Sequence, residues 1–218
     1  MRVYYFSNTE HTISNLALKR LKVSRFSQLN DPFELLAADL LNPHHKNALE
    51  ILKANLDQSK GMLCFSTTWS NPLLWGHYAN KHSGIALGFD IPDTLLSSVY
   101  YTRNRAHKIE IDPKNSHVVN GLVLLNRLIR TKFLDWQYEA EYRMFVDLDE
   151  TTQEAGNYFI DFSTDLQLSE VVLGLKCELP KERIKQLLGD NFEKVKVVKA
   201  GMARREFKII EDRSARVT

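Results

Sequence analysis

The sequence predicts an α+β fold, one domain in which a split, mixed or antiparallel sheet is flanked by helices. Three observations lead there. Roughly eight short apolar runs of strand character are interleaved unevenly with helical periodicity, which does not fit a regular doubly wound arrangement. The last of these runs follow one another with little helix between them, which favours antiparallel or mixed pairing. The chain has 218 residues, 44% apolar and 26% charged, a size and composition that support one hydrophobic core without disulfides or a structural metal.

The elements follow in order. Residues 3–6 form a first strand, and Ile13, Leu16, Leu18 and Leu21 near helical spacing predict a helix over 9–22, capped by Asn8 or Thr9. A second strand at 23–26 stops at Asn30-Asp31-Pro32, where two Asx side chains and a proline favour a turn. Helical pattern then covers 33–55, broken near Pro43. Residues 62–66 are a short apolar strand; Pro72 opens a helix over 73–82 that Gly84 ends, and a strand at 85–89 leaves at once. Residues 99–101 and 108–111 read as extended, 118–133 as a long amphipathic helix, and 141–148 as a strand with alternating faces. Beyond a variable loop at 149–157, strands are expected at 158–162, 171–174, 195–198 and 207–210, with a helix at 181–188. The domain is expected to span 1–211 and to end in a loose tail, 212–218.

The charge balance excludes some function classes. With 29 basic and 27 acidic side chains the net charge is +2, too even for a general electrostatic grip on nucleic acid or anionic lipid. Cys64 and Cys177 lie far apart and form no paired CxxC, so neither a disulfide framework nor a cysteine zinc site is expected. A reducing cytoplasm fits, and neither an export signal nor a membrane-spanning run is read.

Three polar-aromatic segments carry the candidate chemistry. In the first, Arg25, Asn30, Asp31 and Glu34 could converge on a loop lining a cleft; the plainer account is a strand end, an Asx-Pro turn and a helix cap. The second contains Cys64, Ser66, Trp75, His77 and Tyr78, where Trp and Tyr on a short helix also suit core anchors with satisfied N–H and O–H groups. His77 and His82 are five residues apart with no acidic partner at ligand spacing, so no metal site is read. The third holds Lys132, Trp136, Glu139, Glu141 and Arg143. On one strand the last three share a face, either as a surface ladder or as a cleft where Glu141 meets developing positive charge and Arg143 keeps it ionised.

The motifs NDPFE (30–34), CFS (64–66), WGHYANKHSGIALGF (75–89) and WQYEAEYR (136–143) together resemble the bacterial family known as domain of unknown function 2971. Their order and spacing match along most of the chain. The resemblance implies a single-domain cytosolic protein of the kind suspected of phage-defence or toxin-like roles, with an antitoxin or defence partner.

A second resemblance is to the ADP-ribosyltransferases, whose split mixed sheet carries an early basic or aromatic strand, a Ser-Thr strand and a late Glu strand. Phe65-Ser66-Thr67-Thr68 is similar to their Phe-x-Ser-Thr-Ser element and Glu139-Ala140-Glu141 to their Glu-x-Glu element, in the same chain order. That implies NAD as cosubstrate and no metal, with Glu141 as the catalytic carboxylate and Ser66 supporting the pocket. Trp75 or Tyr78 would stack on nicotinamide, and the basic element would fall to Arg2 or, in its place, Arg25.

The leading expectation is therefore an NAD-dependent ADP-ribosyltransferase-like enzyme acting on a protein or nucleic-acid acceptor. The alternative is a non-catalytic module binding a nucleotide, nucleic acid or partner protein through Trp75, Tyr78 and Trp136 beside Arg25, Lys132 and Arg143. A hydrolase or nuclease using His77 with Glu139 or Asp31 ranks behind both, for want of a nucleophile or metal motif.

Overall fold

Strand β1 (Arg2–Ser7) is an interior strand of the main sheet, flanked on both sides by strands from distant parts of the chain. The computed structural model describes residues 1–34, 43–105, 123, 125–189 and 194–213. An eight-stranded sheet runs in the order β13 (Ile209–Glu211), β12 (Lys196–Met202), β11 (Gln167–Leu173), β4 (Ile85–Asp90), β1, β3 (Lys60–Ser66), β8 (Glu141–Asp147), β5 (Ser97–Ser98). The β11–β12 pair is parallel and the other pairs are antiparallel. The predicted α+β class with a mixed sheet is what the chain adopts.

The sheet is split at one place. β1 pairs with β4 along its whole length, from Arg2↔Asp90 to Ser7↔Ile85, and β3 pairs with β8 from Lys60↔Asp147 to Ser66↔Glu141. Between β1 and β3, however, the register is a single pair, Tyr4↔Ser66. Strands that meet at one residue and then diverge leave unfilled space beside them, and that space becomes the site described below.

Alternation along β4 explains how the sheet buries both faces. Ile85, Leu87 and Phe89 point to one side, where Leu16 of α1 (Thr9–Leu18) and Ile184 and Leu188 of α4 (Lys181–Leu188) join the main core. Ala86 points to the other, against Trp75 of α3 (Pro72–Tyr78), Val172 and Val198. Each of the larger aliphatic or phenylalanine side chains contributes about 1.5–3 kcal/mol of burial. A third cluster places Phe26, Met62 and Leu128 against Leu49 and Leu56 of α2 (Pro43–Ser59).

Several boundaries differ from the sequence expectation, each for a local reason. The first helix stops at Leu18 rather than residue 22: Lys19 turns left-handed (φ 52°) and releases β2 (Arg20–Val23), which buries Leu21 and Val23 while pairing with β10 (Asn157–Asp161). The strand expected at 23–26 gives way to a 3-10 turn, Phe26–Gln28, with Phe26 buried. Asn71 caps α3 and Pro72 opens it, but it ends at Tyr78, not 82, because Asn80, Lys81 and His82 are all left-handed (φ 43°, 54° and 74°). Gly84 is not its cap; it allows close approach, since a Cβ there would lie 2.2 Å from the Ser7 carbonyl oxygen.

The helix expected over 118–133 ends early. Residues 125–128 are helical, whereas β7 (Thr131–Phe133) pairs in parallel with β6 (Tyr100–Thr102). The loop at 149–157 contains β9 (Thr152–Glu154), joined to β10 through Ala155 and Gly156, both left-handed (φ 48° and 77°), as a tight two-residue hairpin requires. Of the helix expected over 33–55, Phe33 and Glu34 lie in a turn and α2 begins at Pro43; residues 35–42 and the extended stretch expected at 108–111 lie outside the described residues. Of the tail expected over 212–218, Asp212 is held by its backbone N–H, which donates to the Lys199 carbonyl at 2.8 Å, and residues 214–218 lie outside the described residues. Among the described residues no helix is long and apolar enough to cross a membrane.

Candidate functional site

Beside the split between β1 and β3 lies a cavity of about 290 Å³, walled by Tyr4, Tyr5 and Phe6 of β1 and Cys64, Phe65 and Ser66 of β3. Asn30, Glu34, Tyr78, Lys132, Glu139 and Glu141 complete it, together with Ser24, Gln28, Leu29 and Leu74. Its lining thus comes from five separate stretches of chain.

Glu139 and Glu141 reach the cavity from different backbone, not from one strand. Residues Leu134–Glu139 form a 3-10 helix, Ala140 is left-handed (φ 45°), and β8 begins only at Glu141. The kink after Glu139 replaces the expected extended face, yet both carboxylates still meet Lys132. Its ammonium donates to Glu139 Oε2 at 2.6 Å and to Glu141 Oε2 at 3.2 Å, and lies 3.9 Å from Glu34 Oε1.

Arg143 stands behind them, fully buried. Its Nε donates to Glu141 Oε1 at 2.8 Å, its two terminal nitrogens donate to both oxygens of Glu34 at 3.0 and 2.6 Å, and one also reaches the Ile129 carbonyl at 2.7 Å. The surface-ladder alternative for Glu141 and Arg143 is therefore wrong: this is an interior network. Buried guanidinium pairs of this kind hold geometry firmly, and loss of one partner leaves an uncompensated charge.

The network fixes protonation. Burial alone pushes the Glu141 carboxyl up, but Arg143 and Lys132 outweigh it and hold it far below the usual carboxylate range, near 2. Glu139 goes the other way, because its burial exceeds the pull of Lys132 and Tyr78. Three carboxylates (Glu34, Glu139, Glu141) face two cations (Lys132, Arg143), so one negative charge is in excess and Glu139 is where a proton enters most readily.

Tyr78 ties the helix to this cluster. Its hydroxyl donates to Glu139 Oε1 and accepts from Asn30 Nδ2 at 2.8 Å, and burial with the Glu139 carboxylate raises its pKa strongly. Ser66 stands opposite Glu141 in the β3–β8 register and accepts from the Thr68 N–H at 3.2 Å. Cys64 stays a thiol, since burial and then Glu141 push its pKa up.

Other expected residues fall elsewhere. Trp75 is a core anchor rather than a ring platform: it is buried against Phe6, and its indole N–H donates to the Trp69 carbonyl at 2.6 Å. His77 is outside the cavity, paired through Nδ1 with the Tyr138 hydroxyl at 2.9 Å and packed edge-on to Trp136. Asp31 makes an Asx turn, accepting from the Phe33 N–H at 2.9 Å, and does not line the cavity. A His77–Glu139 or His77–Asp31 pair is thus not formed. Arg25 lies 3.9 Å from Asp57, and Arg2 grips Asp90 with two hydrogen bonds, so neither supplies the expected cation to the cavity. Among the described residues no group of three or more His, Cys, Asp or Glu is placed to hold a metal ion.

Two relationships were not expected. Tyr101 accepts a hydrogen bond from the Glu141 N–H at 2.8 Å, and only the parallel β6–β7 pairing brings it there. Glu34, noted in the sequence only as a residue that could converge on the loop, is the principal partner of Arg143.

Comparison of the chain with protein-family models, with curated proteins and with solved structures finds no match. The functional reading rests on the geometry of this chain.

Proposed function

We propose that the cavity binds the nicotinamide end of NAD and cleaves its nicotinamide–ribose bond, transferring ADP-ribose to an acceptor. The observation that carries this reading is convergence. The four motifs that suggest the family resemblance deliver Asn30 and Glu34, Cys64 and Ser66, Tyr78, and Glu139 and Glu141 to one hollow at the split of the sheet.

The chemistry of the hollow suits that substrate. A flat ring bearing positive charge is favoured by aromatic walls from Tyr4, Tyr5, Phe6 and Tyr78 and by a charge cluster one negative unit in excess. As the C–N bond breaks, its electrons neutralise the ring nitrogen and positive charge builds on the ribose. Glu141, kept ionised by Arg143, is a preorganised negative group for that charge. The acceptor's nucleophilic atom closes on the sugar carbon and its proton passes to Glu139, the carboxylate with the raised pKa. Lys132 is the one cation among the described cavity-lining residues and is already shared among carboxylates. The pyrophosphate therefore gains little here, and affinity comes from the nicotinamide riboside half.

The test is release of free nicotinamide from NAD by wild type and by Glu141→Gln, with nicotinamide riboside and ADP-ribose as competitors in a calorimetric binding assay. The expected result is release abolished by the substitution and competition by the riboside, not by ADP-ribose. Absence of both binding and release in wild type would sink the proposal.

One observation favours the second reading, a non-catalytic binding module: both oxygens of Glu141 already accept from Arg143 or Lys132. That reading expects riboside binding with no nicotinamide released.

A further inference from the structure

A second cavity of about 310 Å³ shares Lys132 with the first and has the opposite electrostatic character. Its described lining contains Arg103, Arg105 and Lys132 with Phe33 and Phe133, and no carboxylate. The parallel β6–β7 pair builds it: Tyr101 and Lys132 lie side by side toward the glutamates, while Thr102 and Phe133 form the next pair along. Phe33 and Phe133 are 56% and 43% exposed, large values for phenylalanine. The Arg105 guanidinium sits 5.4 Å from the Phe33 ring centre, and at the other end of the pair Arg130 covers Tyr100, itself half exposed, at 5.0 Å. Neither Arg103 nor Arg105 makes an ion pair with another described residue.

Guanidiniums interleaved with exposed rings on a chain with a net charge of only +2 are a local concentration, not a general basicity. Each part has a use on one class of ligand: cations for a phosphate backbone, and rings for the faces of unpaired bases. We infer that this surface binds single-stranded nucleic acid and presents it, across Lys132, to the glutamate cavity as the acceptor. The transfer step rests on the proposed NAD cleavage, whereas the binding step does not. Bases locked in a duplex cannot lay their faces on Phe33, Phe133 or Tyr100, so the surface prefers single strands.

The experiment uses the full chain and a short fluorescent oligonucleotide, followed by anisotropy at several salt concentrations without NAD. Wild type binds, and affinity falls as salt rises. Arg103→Glu/Arg105→Glu weakens binding by about tenfold or more, since two phosphate contacts are lost and two repulsions gained. The control Arg204→Glu/Arg205→Glu, which makes the same charge change at two exposed arginines of another loop, leaves binding nearly unchanged. Phe133→Ala weakens single-strand binding without altering the salt slope, which a purely ionic contact would not produce. Thermal melting confirms that each variant is folded. Absence of wild-type binding, equal loss in both arginine pairs, or equally good competition by duplex overturns the inference. Nicotinamide release without oligonucleotide is read separately, so its failure is distinct from loss of strand binding.

Discussion

Glu141 stands directly opposite Ser66 at the end of the β3–β8 pair, at the one position where β3 also meets β1 through Tyr4. The catalytic candidate therefore sits where the sheet divides, held from behind by Arg143. Removing that support should be severe. Arg143→Met leaves Glu34 and Glu141 buried without their shared cation, and the expected loss of stability is about 3–5 kcal/mol. Urea denaturation checks it, and a loss under about 1 kcal/mol would show that the network contributes little.

The two cavity glutamates should respond differently to amidation. Glu141→Gln takes one charge from a carboxylate that both Arg143 and Lys132 require, whereas Glu139→Gln removes the excess negative charge, keeps one carbonyl oxygen to accept from Lys132, and turns its amide N–H toward the Tyr78 hydroxyl oxygen. Glu141→Gln is expected to cost about 2 kcal/mol or more and Glu139→Gln distinctly less. Parallel denaturation curves at neutral pH decide the order.

The pH dependence separates them further. Glu141 has a native pKa below its ordinary 4.5, so its contribution is complete above about 4.5 and lost as pH falls through about 2. Glu139 is raised, so its contribution has the opposite sign, present below its unfolded pKa and lost as pH rises through the native one. The deficit of Glu141→Gln relative to wild type should thus grow with rising pH, and that of Glu139→Gln should shrink. Stability measured at acid and neutral pH tests both slopes.

Tyr78→Phe deletes the hydroxyl that donates to Glu139 and accepts from Asn30. We expect a loss of about 1–3 kcal/mol, with the Glu139 carboxyl moving further upward because a hydrogen bond that favours its charged form is gone. The acid limb of the pH profile for nicotinamide release should shift to higher pH. An unmoved limb would remove Glu139 from the proton-accepting role.

Gly84→Ala tests the packing that seats α3. Its Cβ would approach the Ser7 carbonyl oxygen to 2.2 Å and the Ala79 backbone to 2.9 Å, and backbone cannot rotate aside. A drop of about 1–3 kcal/mol is expected, read as a lowered melting temperature.

How far the sequence disclosed this molecule differs from element to element. Local signals were reliable where one short stretch contained its own cause: Asn8 before the first helix, Pro72 behind Asn71, the apolar run of β4 and the alternating faces of β8. They failed where long-range contacts decided the conformation. Lys19 and Ala140 adopt left-handed geometry that neither residue type announces, and residues 131–133 leave a helical pattern to pair with β6. Arg25 and Trp75 carried the right chemistry in the right segments, but Asp57 and the core claimed them.

The sequence by itself determined the α+β class and marked the three polar-aromatic segments whose residues line the hollow, because composition, periodicity and residue type are local properties. Tertiary structure alone decided that Glu34 would embrace Arg143, that Tyr101 would hold the Glu141 backbone, and that β1 and β3 would part at Tyr4 and Ser66 to open the hollow. Those relationships join residues from 40 to 109 positions apart, such as Tyr101 with Glu141 and Glu34 with Arg143. No pattern within a single segment encodes them; they follow from which strands share an edge.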